Sequence, residues 1–287
     1  MTVSILKKAV RISAIAIVSV SLLAGCSIFG NKKDKNEFAG WSVERMYTEA
    51  RDNLNSKDYT RAAELLEATT TQYPFSAQAV QAQLELPYAY WKDEERGKAV
   101  AAADRFIALN GSHPKVDYVY YIKGMINYNQ NVSYLATLTG QGLSDRDPKA
   151  AVESFNAFKT LTEKYPNSRY AKDARLRMVS LVNNMSAHEA GVAVYYYERG
   201  AYLAAINRSQ DLLKTYDGTP ATEDALITMY HSYEQLGMTE QANDALTVLK
   251  KNYPDSTLEM KKTNRSLFSR STKRDRKKAE IEIPAPE

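Results

Sequence analysis

Cysteine is almost absent from this sequence, whose 287 residues include only Cys26. A single cysteine excludes an intramolecular disulfide framework and every metal site that is built on paired thiolates. Histidine is nearly as scarce. His113, His188 and His231 are separated by more than 40 residues each, and none belongs to a His-Glu-x-x-His pair. The sequence therefore predicts no metal site.

Recognisable catalytic motifs are absent as well. The sequence has no Gly-x-Ser-x-Gly elbow, no glycine-rich phosphate loop and no carboxylate pair that stands apart from ordinary surface charge. The alternation of apolar and polar residues that is typical of strands is also missing. We therefore predict an all-α protein with no catalytic residues, no cofactor and no enzymatic activity.

Long hydrophobic runs are limited to residues 14–23, which are about half of the roughly 20 residues that a membrane-spanning helix needs. This run follows three basic residues and precedes small ones, which is the layout of a secretory signal peptide. It ends in Leu23-Ala24-Gly25-Cys26, which resembles the bacterial lipobox, where the cysteine receives a lipid and becomes the first mature residue. We predict a signal peptide at 1–25 and lipid attachment at Cys26.

The residue after the predicted lipid site indicates which membrane receives the anchor. In lipoproteins an aspartate at this position retains the protein in the inner membrane, whereas this sequence has Ser27. The resemblance therefore implies the periplasmic face of the outer membrane. Two or more acyl chains on Cys26 would make that attachment stable, because each buried CH₂ adds roughly 0.8 kcal/mol.

A Tyr-Pro-x-Ser tetrapeptide recurs along the chain. Copies begin at Tyr73, Tyr165 and Tyr253, Tyr216-Asp217-Gly218-Thr219 is a degenerate copy, and His113-Pro114 is a weaker one. Positions 12, 8 and 5 before each proline are mostly small, large and large, which places them on one face of a helix that the proline then ends. These sets are Ala62, Leu66 and Thr69; Ala102, Phe106 and Leu109; Ser154, Phe158 and Leu161; Ala205, Ser209 and Leu212; and Ala242, Leu246 and Leu249.

This pattern resembles the second helix of a tetratricopeptide repeat, where a small residue lets the partner helix approach closely. The spacings between stops are 40, 52, 51 and 37 residues, which exceed the usual repeat of about 34. We therefore expect two insertions, one as a loop at residues 129–148 and one as lengthened helices within 168–199. The predicted fold is a tetratricopeptide-repeat α-solenoid of about five helix pairs in a right-handed superhelix.

Around this solenoid the sequence predicts two flanking segments. We place a lipidated linker at 26–40, the repeat domain at 41–258 and a basic, disordered tail at 259–287. Residues 261–278 hold nine Lys or Arg against one acidic residue, which is a local charge of +8. Such a segment fits a solvated tail, anionic lipid head groups or peptidoglycan carboxylates. Phe268 is its one aromatic residue, and a single ring offers little surface on which nucleic-acid bases could stack. We therefore predict no nucleic-acid partner.

Tyrosine is abundant, with 20 residues. Most of these side chains suit the packing between helices. Three consecutive tyrosines at 195–197 span about 200° of a helix and cannot share one buried face. A peptide-binding groove is therefore an open alternative for a minority of the tyrosines.

Four stretches between Tyr47 and Tyr253 resemble one specific family, BamD (also called ComL), the lipoprotein subunit of the outer-membrane β-barrel assembly machinery. The stretches are Ala89-Tyr90 through Asp104-Arg105-Phe106-Ile107-x-Leu109-Asn110-x-x-His113-Pro114-x-x-Asp117-Tyr118-Val119; Ser144-Asp145-Arg146-Asp147-Pro148; Tyr165-Pro166-Asn167-Ser168; and Tyr195-Tyr196-x-Glu198-Arg199-Gly200-Ala201 with Asn207-Arg208. The resemblance implies a non-catalytic scaffold in which the C-terminal half binds BamA and the N-terminal half binds unfolded barrel precursors. Other lipoprotein subunits of the complex are further implied partners.

Carried over by position, the family assigns two candidate surfaces to this chain. The BamA-facing residues are Tyr196, Tyr197, Glu198, Arg199, Asn207 and Arg208. The precursor groove includes Tyr88, Tyr90 and Tyr121. The alternative function is a repeat lipoprotein that tethers or coordinates peptidoglycan through its basic tail.

Overall fold

The computed structural model describes residues 37–128 and 148–260, and ten α-helices make up most of these residues. No strand occurs in the described ranges. The signal peptide, Cys26, the insertion at 129–147 and the basic residues 261–278 lie outside them. The helices are α1 (Val43–Ser56), α2 (Tyr59–Gln72), α3 (Ala77–Lys92), α4 (Arg96–Leu109), α5 (Val116–Tyr128), α6 (Pro148–Lys164), α7 (Ala171–Glu198), α8 (Tyr202–Thr215), α9 (Ala221–Gln235) and α10 (Thr239–Asn252).

The chain divides at Ser42 into two units, and all ten helices belong to the second. In the first unit, the described residues 37–42 form a turn in which the Phe38 ring meets Trp41 edge-on at 5.5 Å. In the second unit each helix packs on the next along the chain. Odd-numbered helices also pack on one another, α1 on α3, α3 on α5 and α7 on α9. Five successive helix pairs form an α-solenoid, which confirms the predicted fold class.

Even-numbered helices all end in the same turn. The residue that follows each of these helices donates its backbone N–H to the carbonyl four residues earlier, as Tyr73 does to Thr69 at 3.1 Å. The fourth residue of the turn then donates to the first, as Ser76 does to Tyr73 at 3.0 Å. The same two bonds recur in the turns that begin at Asn110, Tyr165, Tyr216 and Tyr253. The predicted stops at Tyr73, Tyr165, Tyr216 and Tyr253 are therefore confirmed.

The predicted stop at His113-Pro114 is wrong by three residues. Asn110 occupies the position of the tyrosine, and His113 occupies that of the serine, since its N–H donates to the Asn110 carbonyl at 2.9 Å. Leu109, predicted to face the core, is 68% exposed. The buried face of α4 is formed by Ala99, Ala103 and Phe106. Here Gly111 takes the place that proline has in three of the other turns.

The four turns within pairs that lie in the described residues share a left-handed residue near the end of the first helix. Its φ is 67° at Lys57, 63° at Glu94, 74° at Gly200 and 71° at Gly237. In each case the following N–H reaches the carbonyl five residues earlier, for example from Asp58 to Asn53 at 2.9 Å. This is a Schellman motif, which satisfies the last carbonyls of the helix.

The two predicted insertions have different outcomes. The loop expected at residues 129–148 falls outside the described residues, except that Pro148 is already the first residue of α6. The expectation of longer helices within 168–199 is confirmed, because α7 runs unbroken for 28 residues. Five of the other helices have 14 residues.

Helices α1–α4 and α7–α10 are aligned by a constant offset of 143 residues. Tyr59 corresponds to Tyr202 as the first residue of a second helix, and Lys57 corresponds to Gly200 in the turn before it. The same offset relates Glu94 to Gly237. The two ends of the solenoid are therefore built on one plan, and the insertions lie between them.

Candidate partner-binding surfaces

The three tyrosines of the predicted precursor groove are packing residues. Tyr88, Tyr90 and Tyr121 are all at most 9% exposed. The Tyr88 ring lies edge-on to Tyr59 and to Trp91, each at 6.1 Å between centroids. Burial and the neighbouring Tyr59 raise the pKa of Tyr88 to about 12. The helix stack covers most of each side chain, and the assignment of these three residues to a precursor groove stays a prediction.

Tyr121 belongs to a polar cluster between α5 and α7. Its hydroxyl donates to Asp173 Oδ2 at 2.6 Å, and Arg177 Nε donates to the same oxygen. Its ring stacks on Tyr170 at 4.8 Å. The Arg177 guanidinium lies 4.8 Å from the centre of the Tyr128 ring. Burial, followed by the hydrogen bond to Asp173, raises the pKa of Tyr121 well above that of a free tyrosine.

A similar cluster joins α1 to α3. Glu85 is completely buried, and its Oε1 accepts from the Tyr47 hydroxyl at 2.8 Å and from Arg51 Nη1 at 2.7 Å. Burial and then the Glu85 charge raise the pKa of Tyr47. In both clusters a tyrosine and an arginine donate to one carboxylate across two odd-numbered helices. These clusters bridge neighbouring repeats.

Sequence reasoning missed the Glu85 cluster. The signal was a lone carboxylate in the run Leu84–Tyr90, every residue of which is buried. A charged residue in such a run needs a buried partner. Tyr47 and Arg51, separated by one helical turn on the neighbouring odd-numbered helix, are suitable partners.

A partly accessible aromatic surface of the N-terminal half lies at the end of α3. Trp91 and Tyr59 are half-buried, and Lys92 is exposed. The Lys92 ammonium lies 5.5 Å from the centre of the Trp91 ring and 5.8 Å from that of Tyr59. We name Tyr59, Trp91 and Lys92 the N-terminal aromatic patch. It combines apolar ring area with one positive charge.

The predicted BamA-facing residues fall at the end of α7 and on α8. Tyr196 and Tyr197 are half-buried. The four polar members are exposed; they are Glu198, Arg199, Asn207 and Arg208. The structure arranges them in two groups, one at the turn between α7 and α8 and one farther along α8.

The group at the turn is organised by a tyrosine outside the predicted set. Tyr195 is 44% exposed, and the Arg199 guanidinium lies 4.6 Å from the centre of its ring. Tyr196 meets Tyr195 edge-on at 5.9 Å. Leu203, in the first turn of α8, is also exposed. Tyrosine, arginine and leucine side chains therefore form a solvent-facing surface at this turn.

The group on α8 includes an ion pair. Arg208 Nη1 lies 3.5 Å from Glu189 Oε2 of α7, and both side chains are partly exposed. Tyr197 belongs to neither group. Its ring contacts Tyr202 at 5.4 Å and His231 at 6.4 Å, and burial raises its pKa. We name Tyr195, Arg199, Leu203 and Arg208 the C-terminal docking surface.

Among residues 37–128 and 149–260, no group of three or more His, Cys, Asp or Glu side chains is arranged to hold a metal ion. Within the same part of the chain, no helix combines the length and apolarity needed to cross a bilayer.

Comparison with known proteins gives a consistent family. Residues 41–249 match the family model YfiO, described as an outer membrane lipoprotein. The chain is 43% identical to outer membrane protein assembly factor BamD of Neisseria meningitidis serogroup A over 244 residues, covering 84% of this chain and 91% of that protein. It is 37% identical to the BamD protein of Vibrio cholerae, covering 78% of this chain and 91% of that one.

A solved structure with a weaker likeness is a Podosopora anserina putative kinesin light chain with nearly identical TPR-like repeats. It shares 14% identity at a TM-score of 0.32, covering 75% of this chain and 97% of that one, and nothing about function follows from it. The match to the family model and the identity to BamD proteins each extend over most of the solenoid. The protein therefore belongs to the YfiO/BamD family of outer membrane lipoproteins.

Proposed function

We propose that this protein is a non-catalytic scaffold for outer membrane protein assembly that binds BamA through its C-terminal docking surface. The observation that carries this proposal is the exposed Tyr195–Arg199 pair, together with the exposed Leu203 in the first turn of α8. Tyrosine and arginine are the residue types most enriched where binding energy concentrates in protein interfaces. The names of the BamD relatives supply the process in which such a surface would act.

Charge reversal on this surface tests the proposal. The variants are Arg199→Glu and Arg208→Glu, measured by co-purification of BamA from detergent-solubilised outer membranes. We expect BamA recovery to fall about fivefold for each, which corresponds to roughly 1 kcal/mol for a partly exposed charge. Arg105→Glu on α4 is the matched control, because Arg105 is exposed and lies in the other half of the solenoid. Undiminished recovery for both variants would contradict the assignment.

We further propose that unfolded barrel precursors bind near the N-terminal aromatic patch. Its support is the half-buried ring area of Trp91 and Tyr59 beside an exposed cation. Trp91→Ala is expected to weaken binding of an unfolded barrel protein, measured by site-specific photo-crosslinking, while BamA co-purification is retained. Equal loss of both activities would indicate misfolding, and unchanged crosslinking would remove this patch from the proposal.

Lipid on Cys26 would hold this scaffold at the periplasmic face of the outer membrane, beside BamA and the other lipoprotein subunits. The lipid fixes position, since both proposed binding surfaces lie on helices. The variant Cys26→Ala is therefore expected to appear in the soluble periplasmic fraction and to bind purified BamA normally. Loss of BamA binding by the soluble variant would show that the anchor contributes to the interface itself.

A further inference from the structure

The residues after α10 fold back onto α9. We name residues 253–260 the C-terminal strap. Tyr253, Leu258 and Met260 pack against a buried apolar cluster formed by Leu226, Ile227 and Leu249. Lys250 Nζ donates to the Ser256 carbonyl at 2.7 Å. The last unit of a solenoid has no successor to cover its apolar face, and the strap covers it here.

A histidine makes the polar contact between the strap and α9. His231 Nε2 lies 2.9 Å from the Leu258 carbonyl oxygen. Its Nδ1 lies 3.2 Å from Glu234 Oε2. Both oxygens are hydrogen-bond acceptors, whereas a neutral imidazole carries only one N–H. Only the protonated ring can donate to both partners at once.

Two tyrosines and one glutamate surround the ring. Tyr230 of α9 meets it edge-on at 5.0 Å, and Tyr197 of α7 lies at 6.4 Å. The Tyr230 hydroxyl donates to Glu234 Oε1 at 2.7 Å, which leaves Oε2 for the imidazole. The titratable groups that face the ring are therefore one carboxylate and two phenols.

We propose that His231 is a protonation-sensitive latch that holds the C-terminal strap over the terminal apolar face of the solenoid. Deprotonation removes one of the two N–H donors and leaves a nitrogen lone pair facing either Glu234 or the Leu258 carbonyl. The contact with Leu258 or the contact with Glu234 is then lost. Imidazoles change charge between about pH 5 and pH 8, so the strap is held more firmly toward the acidic end of this range. Its release exposes the apolar cluster under it.

Hydrogen exchange of the full chain in detergent tests the latch. Exchange of the peptide that contains residues 253–260 is compared at pH 5.5 and pH 8.0, after correction for intrinsic rates. We expect protection to be about tenfold greater at pH 5.5, as for the loss of one hydrogen bond to a charged group. His231→Gln keeps an amide donor that does not titrate, and it is expected to abolish this pH dependence.

A matched control and a direct readout complete the test. His113→Gln removes a histidine in the other half of the solenoid, whose Nδ1 accepts from the Lys115 N–H at 3.1 Å, and it should leave the pH dependence intact. Nitrogen-15 spectra of the imidazoles should show both His231 nitrogens protonated when the strap is protected. The latch is refuted by equal protection at both pH values in the unmodified protein, or by persistence of the pH dependence in His231→Gln with circular dichroism unchanged.

Discussion

Helices α1–α4 and helices α7–α10 follow one plan, yet they fill the contact between their odd-numbered helices with different chemistry. At the N-terminal end, Tyr47 and Arg51 of α1 donate to the buried Glu85 of α3. The positions 143 residues later are occupied by buried Ala190, Val194 and Thr228. The backbone arrangement therefore does not depend on the ionic cluster. The cluster introduces the buried negative charge of Glu85, and this charge requires the hydrogen-bond donors Tyr47 and Arg51 beside it.

The largest expected effect comes from breaking the N-terminal cluster. Arg51→Val leaves Glu85 buried without its cation and should lower the free energy of unfolding by about 3 kcal/mol, measured by urea denaturation. The triple variant Tyr47→Ala, Arg51→Val and Glu85→Thr replaces the cluster with the residue types found at the equivalent positions of the C-terminal end. We expect it to be more stable than the single variant. A triple variant that is less stable than Arg51→Val would show that the two ends differ in more than these side chains.

A smaller effect is expected in the turns of the C-terminal end. Gly237 has a φ of 71° and open space around the position of a Cβ atom, so only backbone strain opposes a side chain there. Gly237→Ala should lower the free energy of unfolding by about 1 kcal/mol, measured by the same denaturation. Gly97→Ala, at a helical site on α4 that is equally open, serves as the control and should not destabilise the protein.

The equivalent turns of the N-terminal end should respond in the opposite direction. Glu94 corresponds to Gly237 and adopts a φ of 63° with a side chain present. Glu94→Gly relieves this strain, and we expect a gain of about 0.5 kcal/mol after the entropy cost of glycine in the unfolded chain. A loss of stability on thermal or urea unfolding would mean that the Glu94 side chain makes a compensating contact.

The smallest effect concerns alkaline stability. Because burial raises the pKa of Tyr88 to about 12, the unfolded chain releases this proton near pH 10, whereas the folded protein retains it. Unfolding is therefore favoured increasingly between pH 10 and pH 12. Tyr88→Phe should move the midpoint of alkaline unfolding upward by a fraction of a pH unit, as followed by circular dichroism.

The sequence predicted the helices better than it predicted their surfaces. Tyrosine at the end of four of the five even-numbered helices is a local signal, because the turn bonds of Tyr73, Tyr165 and Tyr253 involve only neighbouring residues. The sequence misplaces the stop at Asn110 because proline marks three of the other stops, whereas in this turn the proline comes one residue after the position equivalent to serine. Local patterns therefore locate helix ends where the capping residues are conventional.

The exposure of a side chain depends on neighbours that are distant in sequence. Tyr90 and Tyr121 lie on helices α3 and α5, which are buried on nearly every face. When apolar residues occur on all sides of a helix, the sequence does not show which face of that helix would line a groove. For the same reason the pairing of Glu85 with Tyr47 and Arg51 could be suspected from the sequence, but its geometry could not be predicted.

The length of α7 has a mechanical consequence. Its first turns are tied to α5 through Asp173, and its last turns lead into the Tyr195–Arg199 pair beside α8. An unbroken helix of 28 residues is about 42 Å long, and no proline interrupts it. It is therefore one continuous rigid helix that belongs to both halves of the solenoid. Because α7 contains no hinge, we expect a displacement at one of its ends to move the other end as well.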